Sequence, residues 1–198
     1  MTEFQNVSFS YDGKKNVLNN VSFSLEDGEI LAIMGESGCG KSTLLHLAAG
    51  LRKASEGKIL SSHKKVAYAF QEPRLFPWLT VEENILAAMN GQDGQKNAER
   101  VKELLADLHL SDSANAYPDA LSGGMKTRVS LARALAYDAD LLLLDEPFSA
   151  LNDGLRQELC AYLRQYIKSS GASAILVTHQ RTDTDLMADR ILEYPISK

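Results

Sequence analysis

Apolar and polar positions alternate at the start of the chain. Val7, Phe9 and Tyr11 share one parity, and Val21, Phe23 and Leu25 repeat the pattern. A period of two belongs to half-buried strands, because successive side chains point to opposite faces. Asp12-Gly13 is a turn signal between the runs, so an antiparallel pair is expected. Later runs do not alternate. Ile30 to Met34, Val66 to Phe70, Leu141 to Leu144 and Ile175 to Val177 are apolar throughout. Runs of that kind suit strands covered on both faces, as in a parallel sheet.

Helical patterns fill the intervals. One helix is expected to start after Gly40 and stop near Gly50. Thr80 and Glu83 have capping-box spacing and predict a short helix carrying Val81, Ile85 and Leu86. From near Lys96, the residues Val101, Leu104, Leu105 and Leu108 fall on one helical face. Further helices are expected after Ser122 and over roughly Asp153 to Lys168. The interval from about Pro73 to Arg133 is therefore helix-rich and interrupts an α/β alternation. No internal repeat or low-complexity segment is present.

Composition narrows the class. A chain of 198 residues suits one domain with a substantial core. The formal net charge of −5 and the lack of a long basic run argue against a nucleic-acid partner. No apolar stretch approaches the roughly 18 residues that span a bilayer. The N-terminus has no apolar h-region, so no secretory signal is read. Cys39 and Cys160 are read as free thiols in a reducing compartment.

Two segments carry chemistry. Gly35-Glu36-Ser37-Gly38-Cys39-Gly40-Lys41-Ser42-Thr43 fits the phosphate-loop pattern and lies between an expected buried strand and an expected helix. Glycines let successive amides turn inward, and those amides with the helix N-terminus hold phosphate oxygens. Lys41 supplies a point charge to the outer phosphates, and Ser42 a hydroxyl for Mg²⁺. The second segment is the apolar strand Leu141 to Leu144 ending in Asp145-Glu146. A parallel strand delivers its last residues to the ligand crevice. Asp145 is expected to hold Mg²⁺, directly or through water, and Glu146 to polarise the water that attacks the γ-phosphate.

The stretch Leu121-Ser122-Gly123-Gly124-Met125 resembles the signature of ABC ATPases and lies about twenty residues before the Asp145 strand. The family's other marks follow in order. Gln71 resembles the Q-loop glutamine, Ser149-Ala150-Leu151-Asn152 the D-loop, and His179 the switch histidine. Tyr11 stands where the family has an aromatic that stacks on adenine. The resemblance covers essentially the whole chain and implies its fold. That fold is an α/β P-loop core of mainly parallel sheet, about 1–72 and 134–198. It carries an N-terminal antiparallel β subdomain and an inserted helical lobe, about 73–133, in one domain over 1–198.

The resemblance also implies roles. Tyr11 would stack on adenine, and Gly35 and Ser37 to Thr43 would form the ATP site. Gln71 would touch Mg²⁺ and relay the state of the site to the helical lobe. Lys41, Glu146, Gln71 and His179 would form the catalytic set. Ser122, Gly123 and Gly124 would reach ATP held by a second copy in a head-to-tail dimer. The apolar, proline-stiffened segment from Gln71 to Leu79 would receive an integral membrane permease. The string Phe76-Pro77-Trp78-Leu79-Thr80-Val81-Glu82-Glu83-Asn84-Ile85 is most like nitrate, sulfonate and taurine importer ATPases, a group that includes thiamine-precursor importers. That likeness implies a solute-binding protein in the full system and a cytoplasmic location, peripheral on the inner membrane face. A soluble ABC ATPase and a non-catalytic regulatory subunit are the alternatives.

Four departures stand out. Met125 replaces the signature glutamine, Asn152 the D-loop aspartate, and Gln180 the acid that usually follows the switch histidine. The span from the phosphate loop to Gln71 is short, and the sequence ending at Lys198 predicts no appended regulatory domain.

Overall fold

The computed structural model describes residues 1–89 and 94–194; Lys198, where the sequence ends, lies outside the described residues. Strands β1 (Thr2–Ser10), β2 (Asn16–Leu25) and β4 (Glu56–Ser61) form an antiparallel sheet in the order β2-β1-β4. Strands β3 (Ile30–Met34), β5 (Val66–Ala69), β6 (Leu141–Asp145), β7 (Ser173–Thr178) and β8 (Arg190–Glu193) form a second sheet, ordered β5-β6-β7-β3-β8. Every pairing in the second sheet is parallel.

Alternation within this parallel sheet explains its uninterrupted apolar runs. Leu31, Ile33, Leu141, Leu143, Ile175 and Val177 pack on one side with helix α1 (Lys41–Ala48) and the antiparallel sheet. Ile30, Ala32, Leu142, Leu144, Ala174 and Leu176 face the other side. There they meet helices α2 (Val81–Leu86), α3 (Gly94–Asp107), α4 (Gly123–Ala136) and α5 (Asp153–Ser170). Each residue of the central strands β6 and β7 is thus inside whichever way it points. The short α6 (Arg181–Met187) leads into β8.

The expected elements appear with small shifts. Thr80 accepts from the Glu83 amide at 3.3 Å and the Glu83 carboxylate accepts from the Thr80 amide at 2.8 Å, so the capping box of α2 is complete. Leu86, at the end of that helix, points outward rather than into the core. Between β5 and β6 the described residues contain helices and no strand, and α4 runs three residues past Arg133 to Ala136.

The N-terminal alternation is less simple than its sequence. Phe4 is as buried as Val7, although their parities differ. The register slips between them at Asn6, whose φ is 51°. Gly57 on β4 admits this bulge, since a Cβ there would lie 2.3 Å from the Asn6 carbonyl oxygen. Tyr11 does not join Val7 and Phe9 in the core. It follows the end of β1, is 55% exposed, and meets Phe9 edge-on at 4.9 Å. The turn after it is held by Asp12, which accepts from the amides of Lys14 and Lys15.

β4, β8 and α6 carry little sequence pattern. β4 is an edge strand with five of its six residues exposed, and β8 has four residues. Both cysteines are free; burial pushes the Cys160 thiol up to about 12.

Candidate functional site

Four neighbouring parallel strands end at one edge of the sheet. The loop after β3 carries Gly35 to Gly40, β6 ends in Asp145 followed by Glu146, β7 is followed by His179, and β5 is followed by Gln71. Parallel strands leave their carboxyl ends together, so residues far apart in sequence converge there.

The loop bends where glycine is required. Gly38 and Gly40 have φ values of 78° and 107°, and a Cβ on Gly40 would press against Val17 and Leu18 at 3.0 Å. Gly35 packs against the Tyr194 carbonyl, which a Cβ would approach to 2.0 Å. α1 then begins with no acidic residue in its first turn, leaving the positive end of its dipole uncompensated. Lys41 is buried, and its ammonium donates to the Gly35 and Glu36 carbonyls at 2.8 and 2.7 Å.

A cleft of about 330 Å³ opens above the loop, lined by Tyr11, Val17, Ser37, Gly38, Gly40, Lys41, Ser42, Thr43, Gln71 and Glu146. Tyr11 and Thr43 share a hydroxyl hydrogen bond of 3.0 Å, and the Arg52 guanidinium lies 5.4 Å from the Tyr11 ring centre. Gly35 and Cys39 do not line this cleft; Cys39 turns its thiol toward the Tyr194 carbonyl at 3.9 Å.

Glu146 lines this cleft, whereas Asp145 does not and meets it through Ser42. Asp145 is buried and accepts from Ser42 on Oδ1 and from Tyr68 on Oδ2, each at 3.1 Å. Burial pushes its carboxyl above the usual carboxylate range, opposed by those two hydrogen bonds and reinforced by the Glu146 charge. Glu146 has a φ of 47° and donates its amide to the Val177 carbonyl at 2.9 Å. A non-glycine residue held in this region is strained, and such strain concentrates at functional positions. The Glu146 carboxylate lies between Gln71 Nε2 at 3.3 Å and His179 Nδ1 at 3.2 Å.

Behind this pair a buried guanidinium joins two turns. Arg156 donates to the Phe148 and Leu151 carbonyls and to Gln180 Oε1 at 3.0 Å. Its Nε lies 3.8 Å from Asp183 Oδ1, and Thr178 donates to the other Asp183 oxygen at 2.8 Å. Neutral Gln180 thus accepts from a cation whose nearest buried countercharge is Asp183.

Ser122, Gly123 and Gly124 lie at the N-terminus of α4 and do not line the Lys41 cleft. Ser122 Oγ accepts from the Met125 amide at 3.3 Å, and no return bond to Ser122 exists, as the methionine requires. Gly124 sits against the Ala150 carbonyl, which a Cβ would approach to 2.9 Å. Tyr68 and Val17 are site residues that the sequence reading missed. Val17 has no distinguishing mark, but Tyr68 is the one hydroxyl in the apolar run Val66 to Phe70.

A family model described as ABC transporter matches residues 18–149. The chain belongs to the ABC transporter family. It is 45% identical over 177 residues to the aliphatic sulfonates import ATP-binding protein SsuB 2 of Pseudomonas syringae pv. tomato, covering 89% of this chain and 75% of that one. Identity to the SsuB protein of Bacillus subtilis is 44% over 180 residues, covering 87% and 70%. The Fe(3+) ions import ATP-binding protein FbpC 2 of Haemophilus influenzae is 40% identical, covering 90% of this chain and 54% of that one. The dimeric ATP-binding cassette MJ0796, in a post-hydrolysis state with ADP and Pi, superimposes with a TM-score of 0.90 at 30% identity. That match covers 98% of this chain and 94% of that one. As a member of this family the chain is an ATP-binding and ATP-hydrolysing subunit, the motor of a transporter. Among the described residues no helix is long and apolar enough to cross a membrane.

Proposed function

We propose that this ABC ATPase drives import of a small solute, closing on ATP as a head-to-tail dimer of two copies and reopening after hydrolysis. The observation that carries the reading is the meeting of Lys41, Asp145, Glu146, Gln71 and His179 at the ends of adjacent parallel strands. Its importer relatives and the dimeric cassette support the rest.

In this reading Tyr11 stacks on adenine and the loop from Gly35 to Thr43 wraps the phosphates. The loop amides and the N-terminus of α1 draw in the phosphate charge. Lys41 exchanges its loop carbonyls for the outer phosphates. Gly35 and Cys39 serve as loop backbone, not as side chains facing the nucleotide.

The donor set fits Mg²⁺. Ser42 Oγ, which lines the cleft, and Asp145 Oδ1 are both oxygens and lie 3.1 Å apart. Among the described residues no group of three His, Cys, Asp or Glu is placed to cage a metal. The oxygen pair of Ser42 and Asp145 suits a cation whose shell is completed by phosphate and water. Gln71 is assigned as a further contact. Mg²⁺, when bound, neutralises developing phosphate charge. Glu146 orients the attacking water and takes its proton, and His179 holds the γ-phosphate side of Glu146 in place. Ser122, Gly123 and Gly124 complete the site of the second copy.

The helical lobe of about 73–133 inserts between the two parts of the core. The segment Gln71 to Leu79, with Trp78 69% exposed, is assigned as the seat of the membrane permease. In this reading the chain works on the cytoplasmic face of a membrane, with a separate solute-binding protein in the system.

The test is ATP hydrolysis by the wild type against Glu146→Gln, with a membrane partner present. Loss of turnover by roughly 100-fold or more is expected, with ATP binding retained. Equal activity of the two proteins would show that Glu146 is not the base.

A further inference from the structure

We propose that Tyr68 is a positioning residue for the metal-binding carboxylate of Asp145, an inference that rests on the assignment of Asp145 as an Mg²⁺ ligand. In the register of β5 against β6, Tyr68 pairs with Leu143. Asp145 lies two residues further on the same face, so the phenol reaches one step toward the nucleotide edge. Its hydroxyl donates to Asp145 Oδ2 at 3.1 Å. Ser42 donates to Oδ1 at the same distance.

The terminal torsion of an aspartate is soft and roughly two-fold. One donor leaves the carboxylate free to turn, whereas donors on opposite oxygens fix its plane. With Oδ2 held by Tyr68, Oδ1 is the oxygen presented to Ser42 and the cleft. Asp145 is 4% exposed, so water does not substitute readily for either donor.

The phenol is itself held. Its ring stacks on Phe70 at 4.0 Å and leans on His46 at 5.7 Å, and Arg74 covers the far partner Phe70 at 4.7 Å. Partners of this kind typically set metal affinity by 10–100-fold through the orientation of the ligand they hold.

The experiment is an Mg²⁺ titration of ADP binding by calorimetry, with binding in EDTA as the metal-free reference. For Tyr68→Phe the Mg²⁺ concentration at half-effect rises by about tenfold, while ADP affinity in EDTA stays within about twofold. Retained metal-free binding also reports that the variant is folded. Asp145→Asn separates the two assignments. If it leaves the Mg²⁺ dependence intact, the metal reading fails. If it removes the dependence but Tyr68→Phe titrates like the wild type, the role of Tyr68 is overturned. Should Tyr68→Phe fail to fold, Phe70→Leu takes its place, because it loosens the phenol without removing the hydroxyl. A shift in the same direction is expected, and a wild-type titration overturns the proposal.

Discussion

The Glu146 carboxylate and the His179 imidazole meet at 3.2 Å across the gap between β6 and β7. The contact joins two turns separated by more than thirty residues. His179 is far more exposed than its partner, with 43% of its side chain accessible against 13%. It can therefore contact an incoming phosphate and hold Glu146 together. His179→Ala is expected to lower kcat by roughly 10²–10³ while ATP binding changes little. Steady-state hydrolysis beside nucleotide binding checks this.

The Tyr11 ring is exposed beside the cleft and is fixed through its hydroxyl to Thr43. Stacking on a base is worth about 1–3 kcal/mol. Tyr11→Ala should therefore raise the KM for ATP by roughly tenfold or more with kcat nearly constant. Tyr11→Phe should stay close to wild type. A titration of the ATPase rate against ATP distinguishes the two.

Helices α2 and α4 start with the same device in two states of completion. Thr80 and Glu83 exchange both capping bonds, whereas Ser122 receives only the Met125 amide. Met125→Gln supplies the missing return bond. It should stabilise the protein by about 0.5–1 kcal/mol and raise hydrolysis several-fold. Thermal melts paired with ATPase rates test it, and a variant no faster than the parent would separate cap strength from turnover.

Asp189 fastens α5 to the parallel sheet. It accepts from the Ile30 amide at 2.8 Å and from Arg164 at 2.9 Å, and pairs with Lys168. Burial works to raise its carboxyl pKa. Hydrogen bonds from Lys168, Ile30 and Arg164 outweigh that and hold it below the usual range. A carboxyl with a depressed folded pKa stabilises the fold above its unfolded value and loses that contribution as pH falls through the folded value. Asp189→Asn should cost about 1–2 kcal/mol at neutral pH, a drop of roughly 2–8 °C in melting temperature. The difference from wild type should shrink on acidification below the ordinary carboxylate range. Melts recorded across pH read both effects.

The parallel sheet was legible in the sequence because burial on both faces leaves no polar position to blur its runs. The phosphate loop was legible because its glycines and Lys41 are required by backbone and charge. Other features leave weaker traces. β4 is an exposed edge strand, so its side chains carry no burial pattern. The bulge at Asn6 flips the parity of β1, and only the space opposite, at Gly57, betrays it. Tyr11 looked like a third inward residue because alternation alone does not say where a strand stops. Tyr68 stayed hidden because its hydroxyl meets Asp145 through the register of β5 on β6, which no single stretch of sequence encodes.

Gly124 leaves no room for a side chain against the Ala150 carbonyl, and Ala150 lies four residues after Glu146. The start of α4 therefore rests directly on the turn that leaves the chain's own acids. If α4 reaches into a neighbour's nucleotide, a shift there is carried by hard contact into the home site. Within each copy, Gly124 against Ala150 would then link the surface offered to a neighbour to the turn that follows the chain's own acids.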